Sequence, residues 1–147
     1  MKDIKIIKFT FEDQMNFQRS YHLREIVFIE EQNVNPEIEY EYEEESHFYL
    51  VEKNGKPIAT GRWRETPKGI KLERFAVVRK ERGKNIGKII MNEMLADVLP
   101  LQQMVYLNAQ LQAVPFYQKA GFKSIGEVFL EANIEHIRMV YRPPSKD

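Results

Sequence analysis

The sequence predicts a mixed α/β fold in which helices flank one sheet that starts as an antiparallel meander, has a β-α-β unit in the middle and ends in a hairpin. Three observations carry that prediction. Short β-rich runs alternate with helical patterns along the whole chain. Asn54-Gly55 joins two of those runs, and this dipeptide best accommodates the positive φ angles of a type I′ hairpin turn. A turn carrying Gly83 and Gly87 leads from an apolar strand straight into a helical pattern.

Taken in order, IKIIKF (4–9) reads as the first strand, and Thr10 or Asp13 supplies the N-cap of the helix that follows. From Gln14 to Glu31 the apolar residues cover a broad helical face, with Phe17, Tyr21 and Phe28 on one stripe and Leu23, Ile26 and Val27 beside it. Asn33, Asn35 and Pro36 end this helix. HFYLVEKNGKPIATGRWRE (47–65) is the hairpin, and GIKLERFAVV (69–78) is the third strand of the meander, reached through the Pro67/Gly69 turn. A second helix spans about 85–99 with Ile86, Ile89, Ile90, Met94 and Val98 facing inward, and Pro100 stops it. MVYLNA (104–109) is a strand, and AVPFYQKAG (113–121) is a short helix opened by Pro115 and closed by Gly121. FKSIGEVFL (122–130) and IEHIRMVY (134–141) form the closing pair of strands.

At 147 residues, without internal repeat or linker, the chain reads as a single domain over 1–147. Hydrophobic residues make up 43% and the formal net charge is zero, which fits a globular protein and gives no global signal for nucleic acid or membrane. Cysteine is absent, so sulfur-based covalent catalysis and cysteine-ligated zinc are excluded. His22, His47 and His136 have no metal-ligand spacing, so no metal is expected. The stretch MKDIKIIKFTFEDQ lacks the apolar core of a signal peptide, and no apolar run approaches the ~20 residues of a membrane span, so a cytoplasmic protein is expected.

Zero net charge conceals two poles. EIEYEYEEE (37–45) holds six glutamates, whereas RKERGKNIGK (79–88) holds Arg79, Lys80, Arg82, Lys84 and Lys88. Either can be a solvated face, but together they suggest a ligand with one cationic and one anionic group. The basic stretch sits where a strand turns into a helix, so unpaired backbone N–H groups face outward at the positive end of a helix dipole. That is the arrangement of an anion site, with glycines allowing close approach and Arg82 and Lys88 adding charge. It matches neither GxxxxGK[ST] nor GxGxxG. Nucleic-acid binding is disfavoured, because the charge is local and no aromatic residues are interleaved with it.

VVRKERGKNIGKIIMNEM resembles the cofactor motif of the GNAT N-acetyltransferase superfamily, R/Q-x-x-G-x-G/A between a strand and a helix. NAQLQAVPFYQKAGF is similar to a downstream motif of the same superfamily, and LREIVFIEEQ and GEVFLEANIEHIRM are similar to its ElaA/YjcF-like branch. The resemblance implies a GNAT fold with a central parallel pair splayed to hold acyl-CoA, and acetyl-CoA as cosubstrate. Its pyrophosphate would lie on the turn from Arg82 through Gly83, Lys84, Asn85, Ile86 and Gly87 to Lys88, and its pantetheine along Phe75, Ala76, Val77 and Val78, with Phe116 nearby. Asn85 stands where the first motif glycine usually lies; asparagine tolerates positive φ and can cap a helix.

The implied activity is transfer of an acetyl group to a primary amine of a small molecule or peptide, by direct attack in a ternary complex. Tyr117 is the candidate acid for the departing thiolate, since a phenol keeps its proton at pH 7. Glu73, which alternation would put on one face with Phe75 and Val77, is the candidate base, with Glu31 as the alternative. Asn108 would position the cofactor or a water. Arg24 falls on the stripe of Phe17, Tyr21 and Phe28 and needs a partner, either a glutamate or an anionic group of the acceptor. His136 either touches the acceptor or is a satisfied strand histidine. The glutamate-rich segment favours a cationic acceptor. A CoA-binding sensor or interaction module with weak or no catalysis is the second reading. The chain is expected to work as a monomer or homodimer, without nucleic-acid or membrane partners.

Overall fold

A computed structural model of the protein describes residues 3–32, 34 and 41–143. Among these, strands β1 (Ile4–Thr10), β2 (His47–Lys53), β3 (Lys56–Thr66), β4 (Gly69–Val77), β5 (Val105–Gln110), β6 (Phe122–Glu131) and β7 (Ile134–Tyr141) form one sheet in the order β1-β2-β3-β4-β5-β7-β6. Neighbours run antiparallel except β4 and β5, which are parallel. The hairpin turn is as the sequence predicts: Asn54 and Gly55 both have positive φ, 52° and 79°.

Three α-helices cover the sheet among the described residues: α1 (Gln14–Arg24), α2 (Ile86–Val98) and α3 (Val114–Ala120). Of the two candidate caps of α1, Asp13 fills the role, its carboxylate accepting from Asn16 N at 3.1 Å. The helical face predicted to run to Glu31 does so, but from Glu25 the winding widens to a π-helix. Asn33, Asn35 and Pro36, expected to end it, lie outside the described residues. On one face of the sheet, Ile86, Ile90, Met91, Met94 and Val98 of α2 pack with Tyr49, Leu72 and Leu107. On the other face, Leu23, Val27 and Phe28 pack against Ala76.

The register between β3 and β4 shifts: Thr60 pairs with Ala76 and Arg62 with Glu73, so one residue on β3 faces two on β4. The extra residue is a bulge with Arg74 at φ 59°. The expected alternation therefore fails. Glu73 points to the α1 face beside Arg62, whereas Phe75 points to the α2 face, where it lies against Gly61 and Tyr117. A bulge is invisible to simple alternation, which assumes two residues per repeat throughout.

Gly69 opens β4 at φ 141°, where a Cβ would come within 2.3 Å of Met104 O. That closeness lets Ile70 N reach Met104 O at 2.8 Å and starts the parallel pair. Pairing then covers Ile70 with Val105 and Lys71 with Tyr106 before the strands part. Beyond that point a V-shaped gap opens in the centre of the sheet.

Beside the gap lies a buried charge network. Arg62, fully buried, donates from Nε to Glu73 at 2.7 Å, from Nη1 to Glu43 at 2.8 Å and from Nη2 to the Glu41 carbonyl at 2.6 Å. Arg24 is 1% exposed and grips both oxygens of Glu43, at 3.1 and 3.0 Å. Glu43 thus ties the segment after residue 40 to both α1 and β3. Replacing Glu43 with Ala removes a partner from two buried guanidinium groups, so a loss of about 3 kcal/mol or more is expected. Chemical denaturation measures it, and a loss below about 0.5 kcal/mol would show that the network contributes little there.

Candidate active site

The gap between β4 and β5 is a cavity of about 180 Å³. Glu73 and Phe75 line it from β4, Asn108 from β5, Tyr117 from α3, and Glu131 and His136 from the closing hairpin. Sheet geometry explains why these meet. Directly opposed residues share a face, so the pairings Asn108 with Arg138, Gln110 with His136, Phe129 with His136 and Glu131 with Ile134 gather one polar set on the α1 side. Tyr117 enters from the α2 side, its ring held edge-on between Phe75, Phe116 and Phe122 at 6.0, 5.2 and 6.1 Å. Burial pushes its phenol pKa up, so the group keeps its proton at neutral pH.

At the open end of the gap, β4 runs into the basic turn. Ile89 N makes the first helical bond of α2, to Asn85 O at 3.3 Å, so the N–H groups of Ile86, Gly87 and Lys88 precede the ladder and point out of the helix. The side chain of Ile86 is 3% exposed and belongs to the core; its contribution to an anion is its backbone. Gly83 lies in open space at φ 80°, and a Cβ at Gly87 would meet the Phe116 ring at 3.4 Å, in van der Waals contact. Asn85 adopts φ 65°, ψ 19°, the left-handed conformation that makes glycine the ordinary choice there. Its side chain makes no cap bond with α2, contrary to the expectation that it could cap the helix.

Three cations of the turn, Arg79, Arg82 and Lys84, are held by carboxylates. Arg82 donates from Nε to Val77 O at 2.8 Å and from Nη2 to Glu31 at 3.0 Å, while Arg79 lies 3.4 Å from the same Glu31 oxygen. Lys84 and Lys53 each lie 3.3 Å from Glu81. A phosphate binding here would meet cations already positioned by these partners.

Matched to known proteins, residues 17–143 fit the family model of the acetyltransferase (GNAT) domain. The chain belongs to the GNAT acetyltransferase family. It is 38% identical over 132 residues to the uncharacterized N-acetyltransferase YjcF of Bacillus subtilis, covering 88% of this chain and 94% of that protein. Its fold superposes on Escherichia coli ElaA with a TM-score of 0.85 at 25% identity, over 94% of this chain and 99% of that one. An acyl-CoA N-acyltransferase from Pseudomonas aeruginosa superposes with a TM-score of 0.83 at 24% identity, over 93% of this chain and 98% of the other. The splayed parallel pair thus belongs to a GNAT acyltransferase fold, from a family that uses acetyl-CoA.

Which group can accept a proton in this site is decided by the charges around each carboxylate. Glu73 lines the cavity, but Arg62, Arg64 and Lys71 surround its carboxylate at 2.7, 3.0 and 3.3 Å. Burial alone would raise its pKa, yet Arg62, Arg74, Lys71 and Arg64 outweigh burial and hold it at about 2. Such a carboxylate has little affinity for an ammonium proton. Glu31 does not line the cavity, and Arg82 and Arg79 outweigh the effect of its burial to keep its pKa low as well. Arg24 does not line the cavity either, and sits against Glu43. Glu43, which the expectation of a cationic acceptor leaned on, is engaged by Arg24 and Arg62, and Glu37 and Glu39 lie outside the described residues.

His136 is 6% exposed and lines the cavity, and Glu131 stands beside it. Sequence reasoning passed over Glu131. Its signal was present: Ala132 and Asn133 both take positive φ, 51° and 63°, so EANI is a two-residue hairpin turn that pairs Glu131 with Ile134, one alternation from His136.

The left-handed backbone at Asn85 has a direct test. Asn85→Ala should lower stability by about 1 kcal/mol and weaken CoA binding, whereas Asn85→Gly should bind CoA at least as tightly as the native chain. Thermal shift with and without CoA reads both, and identical behaviour of the two variants would remove the backbone from the explanation.

Proposed function

We propose that this protein transfers an acetyl group from acetyl-CoA to a primary amine by direct attack in a ternary complex. The observation that carries the reading is the gap itself: where β5 parts from β4 a cavity opens between Glu73 and Phe75 of β4, Asn108 of β5 and Tyr117, and β4 leads from it toward the turn before α2. A pyrophosphate suits the helix start. A pantetheine arm, with its two amides, suits the edge that Phe75, Ala76 and Val77 present once β5 has parted from β4.

The two faces then divide the chemistry. Tyr117, on the α2 side, donates its proton to the departing thiolate, which a phenol with a raised pKa still holds at neutral pH. The amine enters from the α1 side, where Asn108, Glu131 and His136 form the wall. With cysteine absent, the chain has no thiol for an acyl-enzyme, and direct attack needs none.

A thiol-release assay across polyamines, amino sugars, amino acids and peptides tests the reaction. Tyr117→Phe is expected to lower kcat by about 100-fold while leaving CoA affinity unchanged. CoA binding without turnover of any amine would favour the CoA-binding module over the enzyme.

A further inference from the structure

Acyl transfer to an amine needs a proton acceptor, and Glu73 and Glu31 are both clamped by arginines. We propose that His136 takes the proton from the acceptor ammonium, with Glu131 and Asn108 as positioning residues; this rests on the acyltransferase reading and assigns a part of the same site.

The geometry around the ring is specific. His136 Nδ1 lies 2.7 Å from the Ile134 carbonyl, which can only accept, so Nδ1 carries a hydrogen. In the neutral ring the lone pair is therefore on Nε2. Nε2 lies 3.6 Å from Glu131 Oε2, and the ring stacks on Phe129 at 6.0 Å with an interplanar angle of 25°. Glu131 is anchored in turn, because Asn108 Nδ2 donates to its Oε1 at 3.4 Å. Asn108 Oδ1 accepts from Arg138 Nε at 3.4 Å, which fixes which end of the amide faces the carboxylate. The result is a chain from Arg138 through Asn108 and Glu131 to a histidine on the cavity wall. Glu131 can stabilise the imidazolium when it forms, by pairing with the nitrogen that takes the proton, while the Ile134 carbonyl holds the other N–H.

The ammonium gives one proton to Nε2 of His136, the free amine attacks the thioester carbon, the C–N bond forms and the C–S bond breaks. The thiolate takes the proton of Tyr117, and the remaining excess proton on nitrogen restores the phenol. His136 returns its proton to solvent. The charged groups facing His136 are Glu131 from β6, Arg138 on its own strand, and Lys71, Glu73 and Arg74 across the cavity from β4.

The experiment uses the full chain and the first amine of the panel that the native protein acetylates. His136→Gln should lower kcat by about 100-fold at pH 7 with the KM for acetyl-CoA unchanged. Its deficit should shrink about tenfold per pH unit as the amine deprotonates by itself near pH 10. Added imidazole should restore turnover in His136→Ala. Glu131→Gln, at a half-buried position that tolerates an isostere, should lower kcat by about tenfold without moving either KM. A thermal shift with CoA confirms that each variant folds, and Glu131→Gln carries the test if the histidine variants do not. A deficit that is constant with pH, a lack of imidazole rescue, or a Glu131→Gln variant as fast as the native chain overturns the proposal. A native chain that acetylates no amine overturns the acyltransferase reading beneath it, which is a different result.

Discussion

Two residue pairs, Ile70 with Val105 and Lys71 with Tyr106, join the halves of the sheet, and the site exists because that pairing stops so early. A sheet whose central strands part must leave backbone donors and acceptors without sheet partners in its middle, which is costly unless something else meets them. The parting is built in from both ends. Gly69 brings β4 within reach of Met104 at the bottom, and the Arg74 bulge bends β4 away above it. One constraint therefore produces both the cavity and the strand edge that a ligand's amides can pair with.

The same bulge decides which side chains reach the cavity, and from which side. Without the extra residue, Glu73 and Phe75 would point the same way; with it, Glu73 turns to the α1 face and Phe75 to the α2 face. The aromatic cluster around Tyr117 and the polar wall of Asn108, Glu131 and His136 then approach one gap from opposite sides. A departing thiolate and an attacking amine need different partners, a proton donor and a proton acceptor, and a parted sheet brings both to one gap.

Much of this was legible in the sequence, for physical reasons that can be named. The hairpin at Asn54-Gly55, the buried face of α2 and the basic helix start are local: each depends on residues within a few positions of one another, where backbone preference and periodicity act directly. The exposed N–H groups of the basic turn were readable because a glycine-bearing strand-to-helix connection frees them whatever the rest of the fold does. The base was not readable, because its candidacy depends on partners distant in sequence. Glu73 is surrounded by Arg62 and Arg64 from another strand, and only their distances show its proton affinity to be low. Arg24 needed a partner, and Glu43 is 19 residues away in a segment that composition marks only as acidic.

The buried charge network has a consequence for the opposite wall. Glu43 and Glu73 each serve more than one cation, so their negative charge is tied up on the β3–β4 side of the cavity. A proton leaving the acceptor must then move toward a group that is not ringed by guanidinium groups in that way. His136 meets this condition, with one ring nitrogen committed to the Ile134 carbonyl and the other turned toward Glu131. The arginine-bound wall thus favours the proposed proton path on the histidine side: the carboxylate that sequence position favours is already held by cations, and the closing hairpin across the gap offers a group that is not.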